Sequence, residues 1–171
     1  MTTIKDLQDY ALSSDNNILS NRSIKYLKHY DDLQEKIPRN EIDKYHIELK
    51  KVLSNFNIDI VGSYRREAQE SGDIDVVFTI KPEMKSKYNT STNYMNIIKD
   101  ILVVNQSLNF TELKSGPIVM NGIVKLFSKY RRIDFFYSEP HLYEFALFAK
   151  TGDKKYNQSL RTCVKTVSDS M

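Results

Sequence analysis

Apolar residues recur at helical spacing over the first third of the chain, alternate with polar ones through the middle, and return to helical spacing near the end. The spacing predicts helices over Thr3–Leu12 and Ser20–Glu35, separated by the Asp15-Asn16-Asn17 break. Pro38 marks a boundary, because the residue before a proline is pushed out of helical geometry. Asn40 then reads as the N-cap of a long amphipathic helix to about Phe56, with Ile42, Ile47, Leu49, Val52 and Leu53 among its apolar positions. Strands follow at Ile58–Val61 and Ile74–Ile80, then a polar loop over Lys81–Thr92 and a helix ending near Val104. Further strands are expected near Asn109–Leu113, Ile118–Phe127 and Arg132–Tyr137, with Ser115-Gly116-Pro117 turning between the first two. A helix over Pro140–Lys150, C-capped by Gly152, and a last helix over Lys154–Val167 complete the chain. This order implies an α+β fold: a mixed β-sheet carrying three acidic residues, preceded by a small helical segment.

Within that pattern, Ser71-Gly72-Asp73-Ile74-Asp75-Val76-Val77 places two carboxylates one residue apart at the mouth of a β-branched run. Side chains alternate along a strand, so Asp73 and Asp75 share a face, and two like charges so placed attract a cation. Just upstream, Gly62-Ser63-Tyr64-Arg65-Arg66 offers a Gly-Ser turn and two guanidinium groups of the kind that hold phosphate oxygens. A third acid, Asp134, lies in the strand-like run Arg131-Arg132-Ile133-Asp134-Phe135. Three carboxylates on adjacent strands can bridge two Mg²⁺ ions about 3.5–4 Å apart, the arrangement that serves in-line phosphoryl or nucleotidyl transfer. If so, the three should point at one shared place even without metal. Separately, each piece has a plainer explanation: Asp-x-Asp is common in surface turns, and Asp134 could be a salt-bridge partner of Arg131 or Arg132. The run Lys125, Lys129, Tyr130, Arg131, Arg132 is either a solvated hairpin rim or a track for a nucleic-acid backbone.

Composition narrows the class without naming it. The 171 residues suffice for a real core, and the formal net charge of +3 permits an acidic partner without demanding one. One cysteine, Cys163, rules out an internal disulfide framework, and His29, His46 and His141 lack the mutual spacing of a metal site. No apolar run approaches a membrane span, and the first residues lack a signal-peptide core, so a soluble intracellular protein without a membrane partner is expected; nucleus and cytoplasm stay undivided.

Taken in order, these motifs resemble the nucleotidyltransferases and, within them, the family X DNA polymerases of the polymerase beta type. The resemblance runs from about Ile4 to Arg161. Its most specific stretches are Leu27–Leu33, Ile37–Ile42, Gly62–Val77, Arg131–Asp134 and Thr151–Arg161. It implies a nucleotidyltransferase palm in which Asp73, Asp75 and Asp134 are the catalytic metal ligands, with Asp134 also near the primer 3′-hydroxyl. It implies triphosphate contacts from Arg39, Ser63, Arg66 and Gly72, a contact from Asn157 to the nucleotide base, and DNA contacts from Arg132 and Arg161. The cofactor would be two Mg²⁺ ions, with Mn²⁺ a substitute. The partners would be a nucleoside triphosphate and primer-template or gapped DNA, bound by a monomer. Residues 1–39 would be part of a DNA-gripping helical segment, 40–152 the palm, and 153–171 the start of a truncated nucleotide-selection subdomain. On this resemblance the stretch given would lack the family's lyase domain and all but the start of its closing subdomain.

The implied activity is addition of deoxynucleotides to a primer 3′-end in gap-filling repair. The alternatives are a template-independent nucleotidyltransferase with another acceptor and a non-catalytic nucleic-acid-binding fragment. Where the family carries a bulky aromatic pair beside the nucleotide sugar, this chain has Ala149 and Lys150, so weak discrimination against ribonucleotides is expected. Glu67 and Asp153 likewise stand where small residues are usual.

Overall fold

The computed structural model describes residues 3–13, 18–88, 92–153, 155–159 and 162. Helix α1 (Ile4–Leu12) opens on a capping box, Thr3 accepting from the Asp6 amide while Asp6 accepts from the Thr3 amide. The expected second helix is two helices, α2 (Asn21–Lys28) and α3 (Tyr30–Gln34), broken at His29. Tertiary docking accounts for the break. The His29 ring stacks on Tyr130 with centroids 3.5 Å apart, and Asp32 accepts from the Tyr130 backbone amide at 2.9 Å.

Strand β1 (Ile37–Pro38) leads directly into α4 (Arg39–Val52). Asn40 is therefore not the N-cap; it lies inside the first turn. Pro38 occupies the cap position, and the Arg39 amide donates to Gln69 O at 2.9 Å, replacing a side-chain cap with a tertiary bond. The helix ends four residues earlier than its apolar spacing suggests, because Phe56 pairs with Ile80 and opens strand β2 (Phe56–Ile60). A single turn, α5 (Gly62–Arg65), and the short strand β3 (Glu70–Ser71) follow, β3 pairing with β1. Then come β4 (Ile74–Ile80), a 3₁₀ helix over Pro82–Lys87 within the expected loop, and α6 (Tyr94–Val104). Strands β5 (Phe110–Ser115), β6 (Val119–Leu126) and β7 (Lys129–Tyr137) precede a 3₁₀ turn and α7 (Tyr143–Thr151). Beyond it residues 155–159 are helical, while Arg161, Cys163 and most of the expected last helix lie outside the described residues.

The main sheet has the order β2-β4-β7-β6-β5, antiparallel throughout except for the parallel pair β4 and β7. One face carries Ile58, Val76, Phe78, Ile133, Phe135 and Met120, packed with Ile42 and Leu49 of α4 and Met95, Ile98 and Leu102 of α6. The other face is covered only in part, by α7, whose Tyr143, Ala146 and Leu147 pack with Val61, Val77 and Phe136. This is the expected α+β class with a mixed sheet. Half-covered, that second face is where polar chemistry can reach solvent.

Candidate active site

The partly covered face carries the acids. The register pairs Asp75 directly with Asp134, flanked by Ile74 with Ile133 and Val76 with Phe135. Alternation turns the flanking residues into the core and both carboxylates outward. Each acid stands two residues before a position under α7, Asp75 before Val77 and Asp134 before Phe136. The helix thus shields one side of the pair and leaves the other open.

Burial, more than any neighbour, pushes the Asp75 carboxyl up to about 6, with Asp73 and Asp134 adding repulsion and Lys150 and Arg132 opposing it. Burial also raises Asp134, against the hydrogen bond that Asn121 donates to it. Asp73, outside the strand and 39% exposed, faces Arg132 Nη2 at 3.4 Å, and Arg132 is itself 41% exposed. So open an ion pair adds little stability. Among the described residues no three acidic, histidine or cysteine groups lie close enough to grip an ion as they stand. Asp75 and Asp134 approach a shared point through their strand pairing, and Asp73 lies near enough to repel both.

The Gly62–Arg66 loop is built to accept Asp75. Gly62 has φ +62°, and a Cβ there would come within 2.6 Å of Asp75 Oδ2, so both backbone and space require glycine. Ser63 Oγ donates to Ser71 Oγ at 2.8 Å, tying the loop to β3. Arg39 lies over the Tyr64 ring at 4.2 Å and donates to Tyr64 O at 2.7 Å and Ala68 O at 3.4 Å. Its guanidinium is thus engaged by the loop's own carbonyls. Tyr64 in turn donates to Asp43 Oδ1 of α4 at 2.6 Å. Neither Tyr64 nor Asp43 stands out in the sequence, where both read as ordinary helix and loop residues.

Arg66 and Asn157 converge on the end of α7. Arg66 Nη1 donates to Thr151 O at 2.7 Å, satisfying a helix-terminal carbonyl, and Asn157 Nδ2 donates to Gly152 O at 3.1 Å. Gly72 O accepts from Arg132 Nη2 at 3.4 Å. Lys150 places its ammonium 3.4 Å from the Phe136 ring centroid, beside the acids. Ala149 lines a groove of about 490 Å³ with Val77, Val119, Phe136 and Phe145.

The basic run divides. Arg131 is 3% exposed and bonded to Glu41, Glu35 and Asp32 O, so it clamps α3 and α4 to β7 and cannot be part of a nucleic-acid track. Lys129 pairs with Glu35, and Lys125 lies 5.5 Å from the Tyr130 ring. The polar group that sequence reasoning missed is Asn121 on β6, directly opposite Asp134.

The carboxylates of Asp75 and Asp134 offer oxygen ligands, the kind preferred by hard divalent cations, and two part-buried carboxylates with raised pKa are the groups a cation would relieve. Residues 36–140 match the family described as DNA polymerase beta palm. DNA polymerase lambda of Arabidopsis thaliana is 32% identical over 146 residues, covering 79% of this chain and 27% of that protein. The Rattus norvegicus DNA polymerase lambda is 26% identical over 152 residues, covering 85% and 26%. The chain therefore spans about a quarter of the length of these relatives. A solved Leishmania infantum polymerase beta, in a ternary gap complex, superposes with a TM-score of 0.79 at 23% identity, over 97% of this chain and 58% of that one.

Proposed function

Because the chain belongs to the family X DNA polymerases, whose polymerase beta palm it carries, we propose that it transfers a nucleotidyl group from a nucleoside triphosphate to a primer 3′-hydroxyl. The observation that carries this reading is the direct parallel pairing of Asp75 with Asp134 on a half-open sheet face. Asp75 and Asp134, with Asp73 joining from the β3–β4 turn, would hold two Mg²⁺ or Mn²⁺ ions. Bound there, such ions neutralise charge on the attacking and leaving oxygens of an in-line displacement.

The chain's own groups do the rest. Asp134, nearest the expected 3′-hydroxyl, would help to take its proton. Ser63, Gly72, Arg66 and Arg39 frame the triphosphate end, Arg39 also keeping the loop in shape from α4, and Asn157 faces the base. Arg132, paired with Asp73, would contact the DNA, with Arg161 a further DNA contact. In this assignment residues 1–39 are the DNA-gripping segment, 40–152 the palm, and 153–171 the start of the nucleotide-selection part. The name of the solved relative, a gap complex, supports gap filling as the setting.

One feature favours a second reading, a template-independent transferase: Ala149 leaves a groove beside α7 where bulk would otherwise constrain the nucleotide. Primer extension with Mg²⁺ or Mn²⁺ on gapped and on single-stranded DNA, with each of the four nucleotides, separates the two. Templated choice on gapped DNA supports the polymerase. Equal use of all four on single strands supports the alternative.

A further inference from the structure

Asn121 makes one bond that none of the assigned roles uses. Its Nδ2 donates to Asp134 Oδ1 at 2.8 Å, and the β6–β7 register sets the two residues directly opposite. The bond thus crosses a single rung of the sheet. Its neighbours turn into the core, Met120 by burial and Gly122 with its hydrogen against the core ring of Phe110, so Asn121 is the residue of that segment facing the acids. A carboxylate on a strand can rotate about its χ2 torsion, and a ligand free to rotate must be ordered again each time it binds a cation.

The sheet order gives the bond a direction. β6 and β4 flank β7 on opposite sides. An oxygen held toward β6 leaves the other, Oδ2, for the side on which Asp75 stands. The choice of an amide is also informative. The cations nearby are Arg132, which engages Asp73, and Lys150, which lies over the Phe136 ring. A neutral amide orients Asp134 without bringing a positive charge that would compete with a metal ion.

We propose that Asn121 is a positioning residue: it locks the Asp134 carboxylate so that Oδ2 is presented to the cation site shared with Asp75. This rests on the reading of Asp134 as a metal ligand, and deepens it by naming the group that sets the ligand's orientation. Partners of this kind, hydrogen-bonded behind a metal ligand, typically change metal affinity or activity about 10- to 100-fold when removed.

The test is Asn121→Leu, which keeps the branching and heavy-atom count and deletes the donor, with Asn121→Ala as a second, smaller form and Asn121→Gln as the conservative rescue. Mn²⁺ affinity of the protein without DNA or nucleotide should fall about 10-fold or more, and turnover with it, while triphosphate affinity stays within about twofold and Asn121→Gln recovers part of the loss. A crystal structure of the variant should show the Asp134 carboxylate rotated. Unchanged Mn²⁺ affinity in a folded variant, or an unrotated Asp134, overturns the proposal. Should the wild-type protein bind Mn²⁺ yet transfer no nucleotide, the polymerase reading fails while the affinity comparison still decides Asn121. Should it bind no Mn²⁺, the orientation of Asp134 with and without Asn121 decides.

Discussion

Gly62 and Asp75 are in such close contact that the α-carbon of one has room for no side chain beyond hydrogen against the Oδ2 of the other. The contact joins the phosphate-loop candidate to the acid pair, so loop and strand cannot be altered independently. Gly62→Ala should therefore do two kinds of damage. A left-handed φ on an L residue costs about 1–2 kcal/mol, and the added methyl must displace the carboxylate. Chemical denaturation should show a loss of that order, and Mg²⁺ affinity should fall together with it. A variant as stable as the parent, with the same Mg²⁺ affinity, would contradict the contact.

Asp75 should make the metal-free protein less stable at neutral pH. Its folded pKa, about 6, lies above the ordinary 3.8, so the folded state binds the proton more tightly than the unfolded chain. The cost of the charged form is therefore fully present above about pH 6, shrinks as pH falls, and is gone below the ordinary value. At most it is about 3 kcal/mol, from roughly 1.4 kcal/mol per pKa unit. Unfolding in EDTA should show Asp75→Asn more stable than the parent by about 1–3 kcal/mol near pH 8 and equal to it near pH 4. A variant less stable than the parent at the higher pH would show that the charge is compensated.

Ala149 should leave sugar choice weak. Phe148 does not compensate, since it is half exposed and its ring packs edge-on to Tyr156 at 5.7 Å. Crowding alone discriminates by at most about 10², so Ala149→Tyr should raise the deoxy-over-ribo preference about tenfold, chiefly by lowering ribonucleotide use. Single-nucleotide incorporation with matched deoxy and ribo substrates measures this. Strong deoxy preference in the parent, unchanged by the substitution, would assign the gate to the Thr151-Gly152 backbone.

Alternation put Asp73 and Asp75 on one strand face, but β4 begins at Ile74 and leaves Asp73 outside it; the acid that joins Asp75 on that face is Asp134 of the neighbouring strand. That the two face one another was not in the alternation, since register is a relation between strands and a shift of one residue would reverse it. Asn121 was hidden for the same reason: a polar residue in an alternating strand reads as solvent-facing until its opposite number is known. Arg131 and Arg132 are neighbours of the same type with opposite fates, one buried against Glu41 and the other beside Asp73, and only the sheet face tells them apart. The end of α4 and the break at His29 were misplaced because strand pairing and ring stacking outweighed helix propensity at those points. The β1–β3 ribbon, two residues long on each side, is too short to leave a periodic signal.

The central claim is that the acid pair performs nucleotidyl transfer while the loop and the end of α7 hold the triphosphate. It is tested most directly by single-nucleotide incorporation into gapped DNA with Mg²⁺, alongside triphosphate binding, for the parent, Asp134→Ala and Arg66→Ala. Asp134→Ala should abolish incorporation and leave triphosphate binding nearly intact, because Asp73 and Asp75 remain. Arg66→Ala should mainly weaken triphosphate binding, by about 1.5–3 kcal/mol for a charge-assisted contact. Equal loss of binding and incorporation in both variants, or undiminished incorporation by Asp134→Ala, would contradict the account.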